Sequence, residues 1–205
     1  GINSKSLAAK ASREPGITGV VESFDMENSL AVARSIYPHA TRVIGISDDT
    51  ITGRGTTSQF MDCRAAFPDV QFEVLNTSKL TGEEIKTQLA SFAPEKDILF
   101  YLVFSEDKDG IRYSAKISTS LVEQYSKVPV FKTDEIGFKY GVLGGKILSY
   151  KTMGEATGKM VRSILQGSNP NDMPVTMIPT NYTFNAEALD KYHIPRSKLP
   201  EIGRA

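Results

Sequence analysis

At 205 residues and 40% hydrophobic side chains, the chain is long enough for one substantial core or two small ones. Its 24 Lys and Arg balance its 24 Asp and Glu, which argues against nucleic acid as a partner, because that binding rests on neutralising phosphates. No run approaches the ~18 apolar residues of a membrane helix, and a single cysteine, Cys63, rules out an internal disulfide or a Cys-rich zinc site.

Residues 1–17 are polar and irregular and read as a linker or tail. The chain starts at Gly1 rather than Met, which suggests a processed or trimmed product, so the missing targeting segment says nothing about destination. TGVVE (18–22) is a short strand candidate. From Asp25, placed to cap, Met26, Leu30, Ala33, Ile36 and Tyr37 form a helical stripe that Pro38 ends. Residues 43–47 are a short apolar run with β-branched residues, followed at once by Ser47, Asp48, Asp49, Thr50, Thr52 and Gly53. That pattern predicts a buried parallel strand feeding a polar loop. A helix is expected over 56–66, carrying Phe60, Met61 and Cys63, with Cys63 read as a small core residue.

A strand at 71–75 precedes a well-marked helix: Thr81 stands before Glu83 and Glu84, with Ile85, Leu89 and Phe92 at helical spacing. ILFYLVF (98–104) is the strongest strand, apolar on both faces and therefore central in a covered sheet. Its exit carries Ser105, Glu106 and Asp107. A helix with Tyr113, Ile117, Leu121 and Tyr125 on one face leads to a fourth strand at 129–132, which Thr133, Asp134 and Glu135 leave. Four strands spaced ~25–30 residues apart with helices between predict an α/β fold with a doubly wound parallel sheet.

After Glu135 the rhythm changes. Gly137, Gly141, Gly144 and Gly145 are too many for a helix interior and read as a tight crossing segment. A short strand over 146–150 and an amphipathic helix over 153–165 follow, the helix carrying Met153, Ala156, Met160 and Ile164 and closing at Leu165. A loop after Gly167, a strand over 180–184, a short helix over 186–192 and a Pro-containing tail complete the chain. The expected organisation is therefore a tail over 1–17, an α/β lobe over 18–135, a crossing segment over 136–170 and a C-terminal strand, helix and tail over 171–205.

Ligands of open α/β sheets collect outside the carboxyl ends of the strands, and three successive exits here are rich in acid and hydroxyl. The expected ligand-binding residues are Ser47, Asp48, Thr50, Thr52, Ser105, Asp107 and Asp134. Each alone serves equally well as a helix cap; their placement on successive exits is what favours a site. Hydroxyls and N–H groups at a helix N-terminus suit a carboxylate, and the acids suit an amine or hydroxyl.

No Ser/His/Asp or Cys/His set can be assembled, His39 and His193 stand far apart in loop contexts, and G-x-S-x-G, G-x-x-x-x-G-K-[ST] and G-x-G-x-x-G are absent. No cofactor or metal is called for and no catalysis is expected. The alternative is a Mg²⁺-dependent, phosphoryl-accepting domain of receiver type, using Asp48, Asp49, Asp107 and Lys132. Against it, Lys132 falls inside the expected strand. A plainer alternative is an interaction lobe without a solute site.

From Ile17 onward, ITGVVESFDMENSLAVARSIYPHATRVIGISDDTITG resembles the second lobe of type I periplasmic binding proteins, in the ABC transporter substrate-binding-like branch. YLVFSEDKDGIRYS, VPVFKTDEIGFKYGVLGGKILSYKTMGEATGKMVRSILQG, NDMPV and NYTFNAEALDKYHIPRSKLPE are similar to extracellular sensor domains of bacterial receptor kinases and diguanylate cyclases. The resemblance implies a two-lobed, non-catalytic receptor outside the cytoplasmic membrane. Such a receptor closes on a small polar solute, an amino acid, sugar or similar compound, and reports to a permease or a membrane signalling module. It also implies that the first lobe is largely missing, so the chain is either a fragment or a half-receptor, the latter pairing as a homodimer through the helix over 153–165.

Overall fold

The computed structural model describes residues 5–94 and 96–200; the outermost parts of the two expected tails, 1–4 and 201–205, lie outside the described residues. Where the tail was expected, α1 (Lys5–Ala11) forms from a short run of Lys, Leu and Ala, good helix formers too few to display a period. β1 (Val20–Val21) and α2 (Met26–Ile36) follow. The α2 cap is Asp25, which accepts from the Asn28 N–H, and the buried stripe is Met26, Leu30, Ala33 and Ile36. β2 (Arg42–Ser47) leads to α3 (Ile51–Asp62), which starts well before the expected Thr56. Thr50 caps it, and Gly53, which read as loop, is needed in its first turn. A Cβ there would lie 2.3 Å from both the carbonyl and a carboxylate oxygen of Asp48.

β3 (Gln71–Asn76) and α4 (Gly82–Ser91) match the expected elements, α4 with a full capping box between Thr81 and Glu84. β4 (Asp97–Tyr101) is buried throughout. The apolar run continues past it, but the N–H groups of Leu102 and Val103 both turn onto the Ile46 carbonyl, so the strand ends early. α5 (Ala115–Tyr125) buries Ser118, Thr119 and Val122; of the expected face, Tyr113, Leu121 and Tyr125 pack half-buried against the core, while Ile117 is 55% exposed. The small hydroxyl residues let this helix come down onto the sheet, where Ser118 Oγ meets the Tyr101 hydroxyl at 2.6 Å.

β5 (Val130–Phe131) is shorter than expected, which places Lys132 on the strand exit rather than inside the strand. β6 (Gly144–Ile147) begins earlier than expected because Gly144 and Gly145 enter the ladder at φ 126° and 153°. α6 (Tyr150–Leu165), β7 (Thr176–Met177), β8 (Asn181–Phe184) and α7 (Ala186–Lys191) complete the chain.

The main sheet has the order β3-β2-β4-β5-β6-β8. Its pairs are parallel except for β6–β8, so the expected parallel, doubly wound sheet gains an antiparallel edge strand. One face is covered by α2, α3 and α7, through Leu30, Phe60 and Leu189 packed on Val43, Phe100 and Phe131. The other is covered by α4 and α5, through Ile85, Leu89 and Val122 on Ile44, Leu99 and Val130. Burial on both faces is what the continuous apolar runs of β2 and β4 demanded.

β1 stands apart and pairs in parallel with β7 as a separate two-stranded sheet. Beside it, α6 buries only Met153, which joins Leu148, Ile178 and the half-buried Val20, Phe24 and Tyr150 in a small third cluster. Val161 and Leu165 of α6 are 49% and 82% exposed.

Candidate functional site at the strand exits

The three aspartates that leave β2, β4 and β5 share one local role. Oδ1 of Asp48 accepts from the Thr50 N–H at 3.1 Å, Oδ1 of Asp107 from the Asp109 N–H at 3.0 Å, and Oδ1 of Asp134 from the Ile136 N–H at 2.9 Å. Each closes an Asx turn, the device by which Asp turns a chain without backbone pairing. The second oxygen sets them apart. Asp48 Oδ2 accepts from the Ser105 N–H at 2.7 Å and so ties the β2 exit to the β4 exit. Asp107 Oδ2 accepts from the Tyr113 hydroxyl at 2.8 Å, and Asp134 Oδ2 lies 2.8 Å from Lys132 Nζ.

Above these turns lies a cavity of about 210 Å³. Its walls include five aromatic residues, Phe24, Tyr101, Phe104, Tyr113 and Tyr150, with Leu102, Val103, Ala115 and Ile136 among the rest. Charged groups enter from Glu22, Lys132 and Asp134, and hydroxyls from Thr52, Ser105 and Thr133. A concave, mostly apolar pocket with a few convergent polar groups is the usual form of a small-molecule site. A larger open groove of about 790 Å³ between α1 and the segment preceding β7 includes Ala8, Ile17, Met173 and Met177 among its lining residues and none of the strand-exit residues.

The surroundings hold the lining tyrosines neutral. Burial, then the Asp134 charge and a hydrogen bond to Glu22, push the Tyr150 hydroxyl far up from its ordinary value. Burial pushes Tyr113 up to about 12, helped by its bond to Asp107. Tyr101 is raised by burial, against the opposing pull of the Ser118 hydroxyl. All three therefore act as hydrogen-bonding aromatic walls over the physiological range. The Lys132 ammonium sits 4.6 Å from the Tyr101 ring centre, within cation–π range.

Of the residues singled out from sequence, Thr52, Ser105 and Asp134 line the cavity. Ser47, Asp48, Thr50 and Asp107 do not. Ser47 Oγ donates to the Gly53 carbonyl and accepts from the Thr57 hydroxyl, Thr50 caps α3, and the two aspartates hold their loops. The aromatic walls, Glu22 and Thr133 were not picked out. In the sequence, Tyr101, Phe104 and Tyr113 read only as strand and helix-face residues. The sequence marks exits by their polar residues and so hides the apolar ones that bend back over them. The metal-dependent alternative finds no support: no group of three or more His, Cys, Asp or Glu side chains among the described residues is placed to hold a metal ion. Both histidines are exposed and neither lines the cavity.

Residues 4–198 match the family model described as ABC transporter substrate binding protein. A curated relative, a tyrosine-binding protein of Clostridioides difficile (strain R20291), is 21% identical over 183 residues, 88% of this chain and 51% of its own length. The chain thus spans about half the length of the curated relative it matches. Two solved structures are similar in fold. One is an ABC domain in complex with L-Trp from Streptococcus pneumonia, with TM-score 0.70, 17% identity, and coverage of 98% of this chain and 70% of its own. The other is the ligand-free, open structure of a substrate-binding protein with adhesive properties from Clostridium difficile, with TM-score 0.69, 19% identity, and coverage of 95% of this chain and 66% of its own.

Proposed function

The chain belongs to the family of ABC transporter substrate-binding proteins, and on that premise we propose that its strand-exit cavity captures an amino acid with an aromatic or large apolar side chain for delivery to a membrane permease. The observation that carries the proposal is the cavity itself, which combines aromatic walls with one buried cation and one buried carboxylate. Aromatic faces suit an aromatic or large apolar side chain, and the charged groups suit a polar head. The names of the relatives, one tyrosine-binding and one solved with L-Trp, agree with that chemistry. Thr52 and Ser105 supply further hydroxyls on the cavity wall.

Capture shifts an open–closed equilibrium that the permease reads, with binding energy spent on closure rather than on bond-making. The expected place of work is the outer side of the cytoplasmic membrane, where this family is typically found. A signalling module as reader remains the expectation of the sequence resemblance to sensor domains; the transporter relatives favour uptake. A thermal-shift panel of amino acids, sugars and polyols tests the proposal. Stabilisation by aromatic amino acids, with the ligand recovered unchanged, is expected. No shift with any solute, or conversion of a solute, overturns it.

A further inference from the structure

Aromatic walls alone do not need a buried ion pair, yet one is built into this cavity. The side chains of Lys132 and Asp134 are 4% and 10% exposed, and both line the cavity. A lysine ammonium has three N–H donors and is costly to remove from water unless they are met. Asp134 Oδ2 meets one, at 2.8 Å, and the face of Tyr101 partly meets a second. No acceptor for the third is recorded among the described residues. Asp134 has spare capacity too, because each of its oxygens carries a single recorded bond, from Ile136 N–H and from Lys132. Glu22, the other charged group on the wall, is held by the Tyr150 hydroxyl.

We propose that Lys132 binds the ligand's carboxylate and that, with Asp134, it selects a zwitterion. The inference rests on the solute-capture reading above and adds the feature that decides which solutes are accepted. An α-amino acid carries an ammonium and a carboxylate close together on one carbon, and Lys132 and Asp134 hold their own opposite charges 2.8 Å apart. Laid antiparallel, the four charges alternate in sign: ligand carboxylate on Lys132, ligand ammonium on Asp134. Each charge then has two opposite neighbours, and the cluster stays neutral. An amine without the carboxylate would satisfy the acids but leave the third Lys132 donor dry. A carboxylic acid without the amine would satisfy Lys132 but place a second anion against Asp134, with Glu22 nearby on the same wall. Only the zwitterion meets both requirements, so Lys132 is what separates an amino-acid site from an amine site.

Calorimetric titration of the 205-residue chain tests this. The ligands are L-tyrosine and L-tryptophan, their amides, tyramine and tryptamine, and the corresponding arylpropanoates. Affinity for the amino acids should exceed that for each analogue by ~10-fold or more, the worth of one or more hydrogen bonds to a charged group. Lys132→Met should abolish the preference for acid over amide. Because that change strips a buried carboxylate of its cation, a second variant, Lys132→Met with Asp134→Asn, removes both charges of the pair, leaves the pocket's net charge unchanged and retains the acceptor for the Ile136 N–H. It should bind all the analogues within ~3-fold of the amino acid. Amides or amines bound as tightly as amino acids by the unaltered chain overturn the inference and leave solute capture standing. Full discrimination by the double variant does the same. Stabilisation in the thermal-shift panel by sugars or polyols alone overturns both the inference and the amino-acid reading. Failure of every solute overturns both.

Discussion

Asp48 illustrates how much of a strand-exit residue's character is decided by its second oxygen. It is 2% exposed and serves the Thr50 N–H and hydroxyl and the Ser105 N–H, across two loops. Asp48→Ala would strand buried donors and should lower unfolding free energy by about 2–4 kcal/mol, read from denaturant midpoints at unchanged slope. Any loss of ligand affinity would follow from loop displacement, since Asp48 does not line the cavity. Gly53 and Gly55 make a paired test at the same place. A Cβ at Gly53 collides with Asp48 oxygens at 2.3 Å, whereas a Cβ at Gly55 meets nothing within 4 Å. Gly53→Ala should destabilise by about 1–3 kcal/mol, while Gly55→Ala should stabilise by about 0.5–1 kcal/mol through helix propensity. Equal effects from the two would contradict the close approach.

Among the elements, β2 and β4 are tied at the end of the sheet opposite the cavity. Arg42 Nε and Nη2 each bond an Asp97 oxygen at 2.8 Å, Arg42 also reaches Glu73 at 3.3 Å, and it lies 5.9 Å from the Phe92 ring centre. Burial would push the Asp97 carboxyl up, but the Arg42 bonds and the Ala93 N–H outweigh it and hold the group below its ordinary 3.8. A depressed folded-state pKa contributes stability that is complete above pH 3.8 and is lost as pH falls below it. Unfolding at about pH 7 and about pH 3 should therefore differ more in the native chain than in Asp97→Asn. At neutral pH, Arg42→Leu should cost about 3–5 kcal/mol by leaving a buried carboxylate unpaired; a cost below about 1 kcal/mol would show the pair to be a surface pair in effect. The order of strands and helices was legible because period and capping agree locally, as at Asp25 and Thr81. The parts that were not legible depend on contacts between distant segments. α3 begins at Ile51 because Gly53 fits against Asp48, α5 turns its hydroxyls inward because Tyr101 receives Ser118, and β6 opens on two glycines because a Cβ at Gly145 would lie 2.5 Å from the Lys132 carbonyl. The same reason explains the site: Asp48, Asp107 and Asp134 are equivalent as strand-exit residues, and only their partners across loops show that just one of them lines the cavity.

At the scale of the molecule, the lobe's two cores are complete on both faces of the main sheet, whereas α6 and the β1–β7 pair stand beside them with one small cluster. Leu165→Lys should accordingly change stability by no more than about 0.5 kcal/mol, and Leu89→Ala, in a fully buried position, should cost about 2–5 kcal/mol. The rim of the sheet, with its aromatic walls and single buried ion pair, is where a solute is expected to be held and left chemically unchanged. Backbone amide NMR on titration with L-tyrosine tests that claim most directly. The account predicts saturable shifts concentrated at Thr52, Ser105, Thr133 and Asp134, with the amino acid recovered intact. Shifts confined to the open groove around Ala8, Ile17 and Met173, or none at any concentration, would contradict it.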